Sequence, residues 1–354
     1  MRMNCAITAV CIATLFALAL LGRRGFDPGV LVVAGDQYTD ARRVPLPVEQ
    51  HSAGYDGQFY YRLAMNPFTH QWSERGIRLD VPTYRQQRIF MPLIVWILSF
   101  GRTRAIAALF LILNIASVGL LAWSSARLVE ESGANAWWSA AAWMYPGWII
   151  TMTRDCAEIL EVALLVTAIL LVRRKRTAFA TVVATCAALT KETAMIAIAA
   201  TAIAAPPLLI AIAAQLGLKF ALFRVWHAAP SLGTGHFSIP FAGLVHSFSL
   251  ARPYPILTTI EVAALVALCI DRLQLVKADR LKPVLTLAFA LYIPLIAILD
   301  EGFWIEDWSF LRATSEYWVL GGILGAMARS RVTLVLTIAM WCTVAAHVLF
   351  IRFG

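Results

Sequence analysis

Charge is scarce in this chain. Of its 354 residues only 14 % are Asp, Glu, Lys or Arg, whereas 60 % are hydrophobic. A soluble domain carries about a quarter charged residues and about half apolar ones. Long polar stretches are equally few, because apolar runs of near-spanning length recur from residue 4 to residue 351 and leave no room for a large aqueous domain. The chain also lacks the usual signatures of several enzyme classes: no G-x-S-x-G, no Walker A and no H-E-x-x-H occurs, which removes the common hydrolase, ATPase and metalloprotease readings. There is no C-x-x-C, and Cys5, Cys11, Cys156, Cys186, Cys269 and Cys342 all lie in apolar segments, so they read as small buried hydrophobes rather than as a disulfide framework or a zinc site. His227, His236 and His246 are spaced by nine and ten residues, which is no metal-ligand spacing. No internal repeat and no Gly/Pro-interrupted pair of spans in matching halves is visible, which weakens a secondary-transporter reading.

What the chain does have is a series of apolar runs with a patterned set of charges between them. The formal charge is +9, but the basic residues form no patch with interleaved aromatics, so nucleic acid is not an expected partner. They sit instead in the first loop or in short clusters beside the apolar runs, as orientation signals do. The first run, Cys5–Leu21, is flanked by Arg2 and by Arg23-Arg24, and Leu21-Gly22-Arg23-Arg24 makes a poor cleavage site, so an uncleaved first span is expected. The Ile89–Phe100 run covers too little of a roughly 30 Å hydrocarbon core and is read as an interfacial or re-entrant helix. Without it, and with a cytoplasmic N-terminus, the inner side receives Arg127, the Arg173-Arg174-Lys175-Arg176 cluster, Arg272, Lys277, Arg280, Lys282, Arg329 and Arg331, while Asp300, Glu301, Glu306 and Asp307 fall outside. The expected architecture is therefore an all-α polytopic protein of the cell membrane with about eleven transmembrane helices. Residues 22–104 form a long outward-facing first loop with short interfacial helices, 105–226 the central spans, 227–255 a second outer loop and 256–354 the C-terminal spans. Most ionisable residues not explained by orientation then emerge on one face, which marks the outer face as the working one.

Several stretches on that face could carry chemistry. Gly54-Tyr55-Asp56-Gly57-Gln58-Phe59-Tyr60-Tyr61-Arg62-Leu63-Ala64 reads as a turn followed by a short amphipathic helix that stops at Pro67. Asp56 is either the cap of that helix or an acid facing a polar reactant on a greasy tail. Asp36 is a solvated loop residue or a second carboxylate that helps to hold a divalent cation or to position an acceptor hydroxyl. Arg85 and Arg88, at i and i+3, share a helix face suited to phosphate oxygens, either in a defined site or against anionic headgroups. Asp155 and Glu158 match a capping-box-like D-x-x-E, with Glu161 one turn deeper in the apolar helix. Lys191-Glu192 interrupts two apolar runs, and Lys191 could bind a lipid-linked phosphate as a point charge.

Taken together, Tyr55-Asp56-Gly57-Gln58-Phe59-Tyr60-Tyr61-Arg62-Leu63-Ala64, the Arg85…Arg88-Ile89…Pro92 stretch and Leu189-Thr190-Lys191-Glu192-Thr193 resemble the GT-C superfamily of integral-membrane glycosyltransferases, in particular bacterial relatives of the mannosyltransferases of phosphatidylinositol-glycan assembly. The resemblance covers about residues 30 to 205. It implies an outward-facing site, a polyprenyl-phosphate sugar donor, a glycan or lipid acceptor in the cell envelope, inverting transfer at the outer face, and the lipid bilayer as a partner. The family's first-loop acid maps onto Asp56, as general base or organiser of the acceptor, and a second acid would be Asp36. The wide separation of these two acids departs from the family's closely spaced pair and leaves a magnesium or manganese requirement open. Tyr55, Gln58, Tyr61, Arg62, Arg85, Arg88, Asp155, Glu158, Lys191 and Glu192 are the candidate substrate-binding residues. The competing readings are a transporter of lipid-linked or envelope components, with Glu161 and Glu261 as its intramembrane polar groups, and an inactive scaffold of the same fold.

Overall fold

The computed structural model describes residues 2–228, 237–248, 281–305 and 309–351, and over these the chain is mostly helical. The N-terminal part holds α1 (Arg2–Gly22), followed by a loop that carries α2 (Asp56–Met65), α3 (Pro82–Gln86) and α4 (Phe90–Ser99). The central part comprises α5 (Ile106–Glu131), α6 (Ala140–Trp143), α7 (Gly147–Thr153), α8 (Glu158–Arg173), α9 (Thr177–Thr190), α10 (Ala194–Ala202) and α11 (Leu209–Trp226). The C-terminal part comprises α12 (Ala242–Phe248), α13 (Leu281–Ala297), α14 (Glu301–Ile305), α15 (Ser309–Ala313), α16 (Ser315–Met327) and α17 (Arg331–Ile351). Two ribbons of two residues per strand stiffen the first loop: Ala34–Gly35 pairs in parallel with Val48–Glu49, and Ser73–Glu74 pairs antiparallel with Ile77–Arg78. The Ile256–Ile270 run lies outside the described residues, as do His236, Glu261, Cys269, Arg272, Lys277, Arg280, Glu306 and Asp307.

Helix α1 is apolar all round, and side-chain size decides which face packs. Cys5, Ala9, Ala13, Ala17 and Leu21, four residues apart, are buried, while Ile7, Ile12, Leu15 and Leu18 remain exposed. Small residues at this spacing let two helix backbones approach closely. On the facing helix α5, a Cβ added at Gly119 would lie 2.6 Å from a Val10 methyl. Arg2 reaches Glu130 near the far end of α5 at 3.4 Å, so the two helices run antiparallel.

Arg2–Gly22, Thr103–Glu131 and Pro206–Trp226 are the helices, among the described residues, long and apolar enough to cross a membrane. Phe90–Ser99, Thr177–Thr190, Pro283–Ala297 and Arg331–Cys342 are apolar but shorter. Large apolar side chains stay exposed along the same elements, including Leu15 on α1, Phe179 and Val182 on α9, Phe220 and Phe223 on α11, and Val335 and Ile338 on α17. Such a surface is a liability in water and at home in lipid, and it associates the protein with a membrane. Helix α4 has ten residues and a length of roughly 15 Å, half a hydrocarbon core.

The stretch Ala136–Met152 is apolar and long enough in sequence to read as one crossing, but the structure interrupts it. Helix α6 stops at Trp143 and α7 starts at Gly147. Pro146 has no N–H to continue the helical ladder, and its ring collides with the carbonyl four residues back. Gly147 then admits a neighbour: a Cβ there would meet the Tyr145 ring at 2.3 Å and the Leu311 carbonyl oxygen at 2.9 Å. The break is filled by α15, whose Leu311 carbonyl accepts a hydrogen bond from the Tyr145 hydroxyl at 2.5 Å.

The two ends of α5 differ in character. At its C-terminal end Glu131 pairs with Arg127, Arg173 and Arg174, and the Arg329 guanidinium donates to the Gly133 carbonyl. At the other end the first loop is seated, with the Tyr61 hydroxyl donating to the Thr103 carbonyl at 3.0 Å. Twenty-six helical residues separate them, a length of roughly 39 Å.

Gly57 fixes how α2 meets the bundle, since a Cβ there would lie 2.4 Å from the Arg154 carbonyl oxygen and 2.7 Å from that of Val32. Both obstacles are backbone. Gly57→Ala is expected to destabilise the protein by about 1–3 kcal/mol, as overpacking does, in a thermal melt in detergent. Gly217→Ala, in the interior of α11 with nothing within 4 Å of the new Cβ, serves as the comparison and is expected to stabilise by up to about 1 kcal/mol.

Candidate functional site

The turn into α2 is built by the backbone: the Tyr55 N–H donates to the Val33 carbonyl and the Gln58 N–H to that of Tyr55. Tyr55 occupies the cap position and its side chain makes no capping bond. Asp56 is the first helical residue, where the helix dipole favours negative charge. Its carboxylate does not cap the helix. One oxygen, Oδ1, accepts from Arg85 Nη1 at 2.6 Å, and Oδ2 accepts from Arg312 Nη1. Burial opposes the charge of Asp56, but Arg85, Arg312 and Arg88 outweigh it and hold the carboxyl well below the usual carboxylate range.

Other ions continue from this pair in both directions. Arg85 forks onto Asp80, with Nε and Nη2 at 2.8 and 2.6 Å from its two oxygens, and its guanidinium lies 4.3 Å over the Phe59 ring. Arg312 Nε stands 3.6 Å from Glu158 Oε1, and its guanidinium lies 5.0 Å over the Tyr55 ring, which Arg154 also covers at 4.9 Å. The Tyr55 hydroxyl is 3.2 Å from Ser309 Oγ. Beyond Glu158, Lys191 Nζ stands 3.6 Å from Glu158 Oε1 and 3.5 Å from Glu316 Oε1. Glu316 also accepts hydrogen bonds from the hydroxyls of Thr193 and Ser315. The result is an alternating row, Asp80, Arg85, Asp56, Arg312, Glu158, Lys191, Glu316, at one end of the bundle. Beside it Arg88 donates to both oxygens of Glu192 at 2.9 and 2.6 Å and to the Tyr84 hydroxyl at 2.6 Å. Burial opposes the charge of Lys191, yet Glu316, Glu158 and Glu161 hold it protonated. Burial likewise opposes the charge of Glu192, and Arg88 more than offsets it, pulling the carboxyl down to about 2.

The sequence-derived candidates divide into two groups. Tyr55, Asp56, Arg85, Arg88, Glu158, Lys191 and Glu192 come together in this ion network. Gln58, Tyr61 and Arg62 instead hold the first loop in shape. The Gln58 side chain accepts from the Gly35 N–H and the Thr39 hydroxyl and donates to the Ala53 carbonyl. Arg62 is fully buried and ties Thr69 and Glu74 to α2. Asp36 also serves the loop, accepting from the backbone N–H groups of His51 and Ser52. These bonds lower its pKa. It lines an open groove with Asp40, Arg42, Arg43 and Arg78, whose lining does not include Asp56. The pair Asp36 and Asp56 therefore does not fit a divalent cation: backbone amides occupy the oxygens of one and guanidinium groups those of the other. Among the described residues no three His, Cys, Asp or Glu side chains gather to hold a metal ion.

The D-x-x-E reading of Asp155 and Glu158 is not realised as a capping box. Ala157 is the cap of α8 and Glu158 its first residue. Asp155 is buried at φ +45°, neither oxygen has a hydrogen-bond partner among the described residues, and burial pushes its carboxyl up. Glu161, one turn into α8, is buried with both oxygens likewise unpartnered. Arg312 and Glu316 were not among the sequence candidates. Their signal is there, two opposite charges at i and i+4 inside an otherwise apolar stretch. The cysteines described, Cys5, Cys11, Cys156, Cys186 and Cys342, are all free.

Compared with known protein families, curated proteins and solved structures, the chain matches none of them.

Breaking a buried pair by removing one partner typically costs about 3–5 kcal/mol. Lys191→Met, which leaves the buried carboxylates of Glu158 and Glu316 facing each other, is expected to lower stability by that amount in a denaturation series, with Lys191→Arg retaining most of it. The Arg88–Glu192 pair also gives a pH signature. Because the folded carboxyl titrates at about 2 against an ordinary 4.5, the folded state binds fewer protons between those values. The pair's stabilisation is complete above about pH 4.5 and is lost as pH falls through about 2. Glu192→Gln is expected to flatten this acid-side loss in melting temperature measured against pH.

Proposed function

We propose that the protein is a membrane glycosyltransferase of the GT-C type. It transfers a sugar from a polyprenyl-phosphate-linked donor to a glycan or lipid acceptor of the cell envelope, at the outer face of the cell membrane and with inversion. The observation that carries this reading is the placement of Asp56. It heads a short helix on a long loop, against the end of an apolar bundle, with guanidinium groups on both sides. An acid that can receive a hydroxyl proton and cations that can receive a lipid phosphate are the two requirements of the reaction.

In the transfer, the acceptor oxygen attacks the anomeric carbon from the face opposite the phosphate. The bond between that carbon and the phosphate oxygen breaks, and its electrons leave with the polyprenyl phosphate. The hydroxyl proton passes to Asp56. Arg85 and Arg312 stabilise the negative charge that builds on the leaving phosphate, with Lys191 and Arg88 raising the positive potential behind them. Tyr55, packed between Arg154 and Arg312, forms a wall of the same site.

The reading includes about eleven spans and a cytoplasmic N-terminus. Two observations support that orientation. The clustered basic residues Arg127, Arg173, Arg174 and Arg329 gather at one end of α5, and the ion row lies at the other. Positive charge favours the cytoplasmic side, which puts the first loop outside.

The test uses protein reconstituted in bilayers with a panel of labelled polyprenyl-phosphate sugars and an envelope-lipid extract as acceptor. Wild type is expected to release free polyprenyl phosphate, and Asp56→Asn to do so about 100-fold or more slowly, the scale of a lost general base. Full activity in Asp56→Asn would sink the base assignment. Passage of an intact lipid-linked sugar across the bilayer without release would favour transport, with buried Glu161 as its first suspect.

A further inference from the structure

The ion row contains a contradiction for the chemistry just described. A carboxylate gripped by two guanidiniums orients a hydroxyl well but takes its proton poorly, because the ion pairs hold its pKa down. The geometry shows how the grip can be released. Arg85 and Arg312 each use Nη1 on Asp56 and are anchored by other groups. Arg85 is held on Asp80 through Nε and Nη2. Arg312 is held by Glu158 through Nε at 3.6 Å and by the Tyr55 ring, and its Nη1 also contacts Cys156 Sγ at 3.4 Å. If Asp56 moved away, both guanidiniums would stay in place and both Nη1 groups would still point at the vacated position. Two guanidiniums converging on one carboxylate form a fork that also suits phosphate oxygens.

Access and charge agree. The Asp56 side chain is 15 % exposed and its two arginine partners 11 and 13 %, whereas Glu158 and Glu316 further along are 2 and 0 %. The row is thus open to the outside at Asp56 and closed behind it. Without Asp56 the remaining row, Asp80, Arg85, Arg312, Glu158, Lys191 and Glu316, is electrically neutral. A singly charged phosphate ester would restore the present charge.

We propose that Asp56 is a displaceable counter-anion: Arg85 and Arg312 form a site for the phosphate of a lipid-linked ligand, Asp56 fills that site at rest, and the incoming phosphate takes its place. The choice of a prenyl phosphate as ligand rests on the glycosyltransferase reading; the anion site itself does not. Displacement turns Asp56 from a poor base into a good one. It loses both guanidinium partners while burial still opposes its charge. The other groups facing it are Arg88, Tyr60 and Cys156, of which Arg88 is itself held by Glu192. Binding of the donor phosphate thereby prepares the acid to accept the acceptor's proton, and an empty site keeps no reactive base exposed to water.

The test is binding, measured calorimetrically on the purified full chain, with farnesyl phosphate, farnesol, inorganic phosphate and a short-chain phosphatidylglycerol as probes. Asp56→Asn removes the competing charge and keeps the shape. It is expected to bind farnesyl phosphate about tenfold or more tightly than wild type, the equivalent of about 1.4 kcal/mol, and Arg312→Gln to bind it at least as much more weakly. Farnesol, which lacks the phosphate, should not distinguish the three proteins. Preference for farnesyl phosphate over phosphatidylglycerol supports a prenyl ligand, and equal binding, with the same order among variants, makes the site one for lipid phosphates generally.

Asp56→Asn binding no more tightly than wild type overturns the proposal and makes Asp56 a fixed strut. If that variant does not fold, wild type alone decides. At about pH 5, close above the ordinary carboxyl range, binding of a singly charged farnesyl methyl phosphate diester should be accompanied by proton uptake, seen as a dependence of the binding heat on the buffer's ionisation enthalpy. No uptake overturns the proposal. Sugar transfer by wild type without tightening in Asp56→Asn discards displacement and keeps the transferase, whereas tightening without transfer keeps the anion site and discards the transferase.

Discussion

The ion pair between Asp56 and Arg312 is the contact on which the working end of this protein depends. Taking a charge out of water costs several kcal/mol even after relaxation, and neither partner has enough water around it to stay charged without an opposite charge beside it. Their pairing draws a loop near the N-terminus onto a helix in the last fifth of the chain. Once that contact is made, its neighbours must comply: Glu158 sits where Arg312 needs a second partner, Lys191 where Glu158 needs one, and Glu316 where Lys191 does. The alternation of sign follows from burial, since two like charges side by side in such a place would not both ionise.

Apolar packing delivers the partners to each other. Pro146 and Gly147 interrupt a helix that would otherwise exclude residues 309–313, and Tyr145 then grips the Leu311 carbonyl next to Arg312. Gly57 lets α2 rest directly on the Arg154 turn and puts Asp56 within reach. The alanine stripe of α1 holds that helix against α5, whose two ends carry the basic cluster and the loop. Local backbone permissions at a few small or cyclic residues thus decide where costly charges end up.

Much of this could be read from the sequence, and the rest could not for definite reasons. Apolar run length pointed to a membrane-associated protein and set Ile89–Phe100 apart as too short to cross, because hydrocarbon thickness is a common yardstick. Charges beside or between apolar runs marked Glu158, Lys191 and Glu192, and in the first loop an acid among aromatics marked Asp56 and an i, i+3 pair of arginines marked Arg85 and Arg88. Within the Tyr55–Ala64 motif, however, Gln58, Tyr61 and Arg62 were indistinguishable from Asp56: a helical pattern says that a side chain is polar, and only tertiary packing says that it faces the loop's own backbone. The charges of Arg312 and Glu316 are visible in the sequence at i and i+4, but the pairing of Arg312 with Asp56 spans 256 positions, beyond any local spacing rule. The interruption at Pro146 was hidden by the hydrophobicity of its flanks, although proline and glycine side by side are a common sign of a break.

The ion row draws on positions 56, 80, 85, 158, 191, 312 and 316, and this has a consequence for biogenesis. A chain made from its N-terminus has Asp56 and Arg85 long before Arg312 exists, and Glu158 and Lys191 before Glu316. Until residues 312 and 316 are in place, Asp56 and Glu158 each lack one cation and Lys191 lacks one carboxylate, although the loop already rests on Thr103 and on the Arg154 turn. A chain that lacks residue 312 leaves Asp56 Oδ2 and Glu158 Oε1 each without one of the cations that face it.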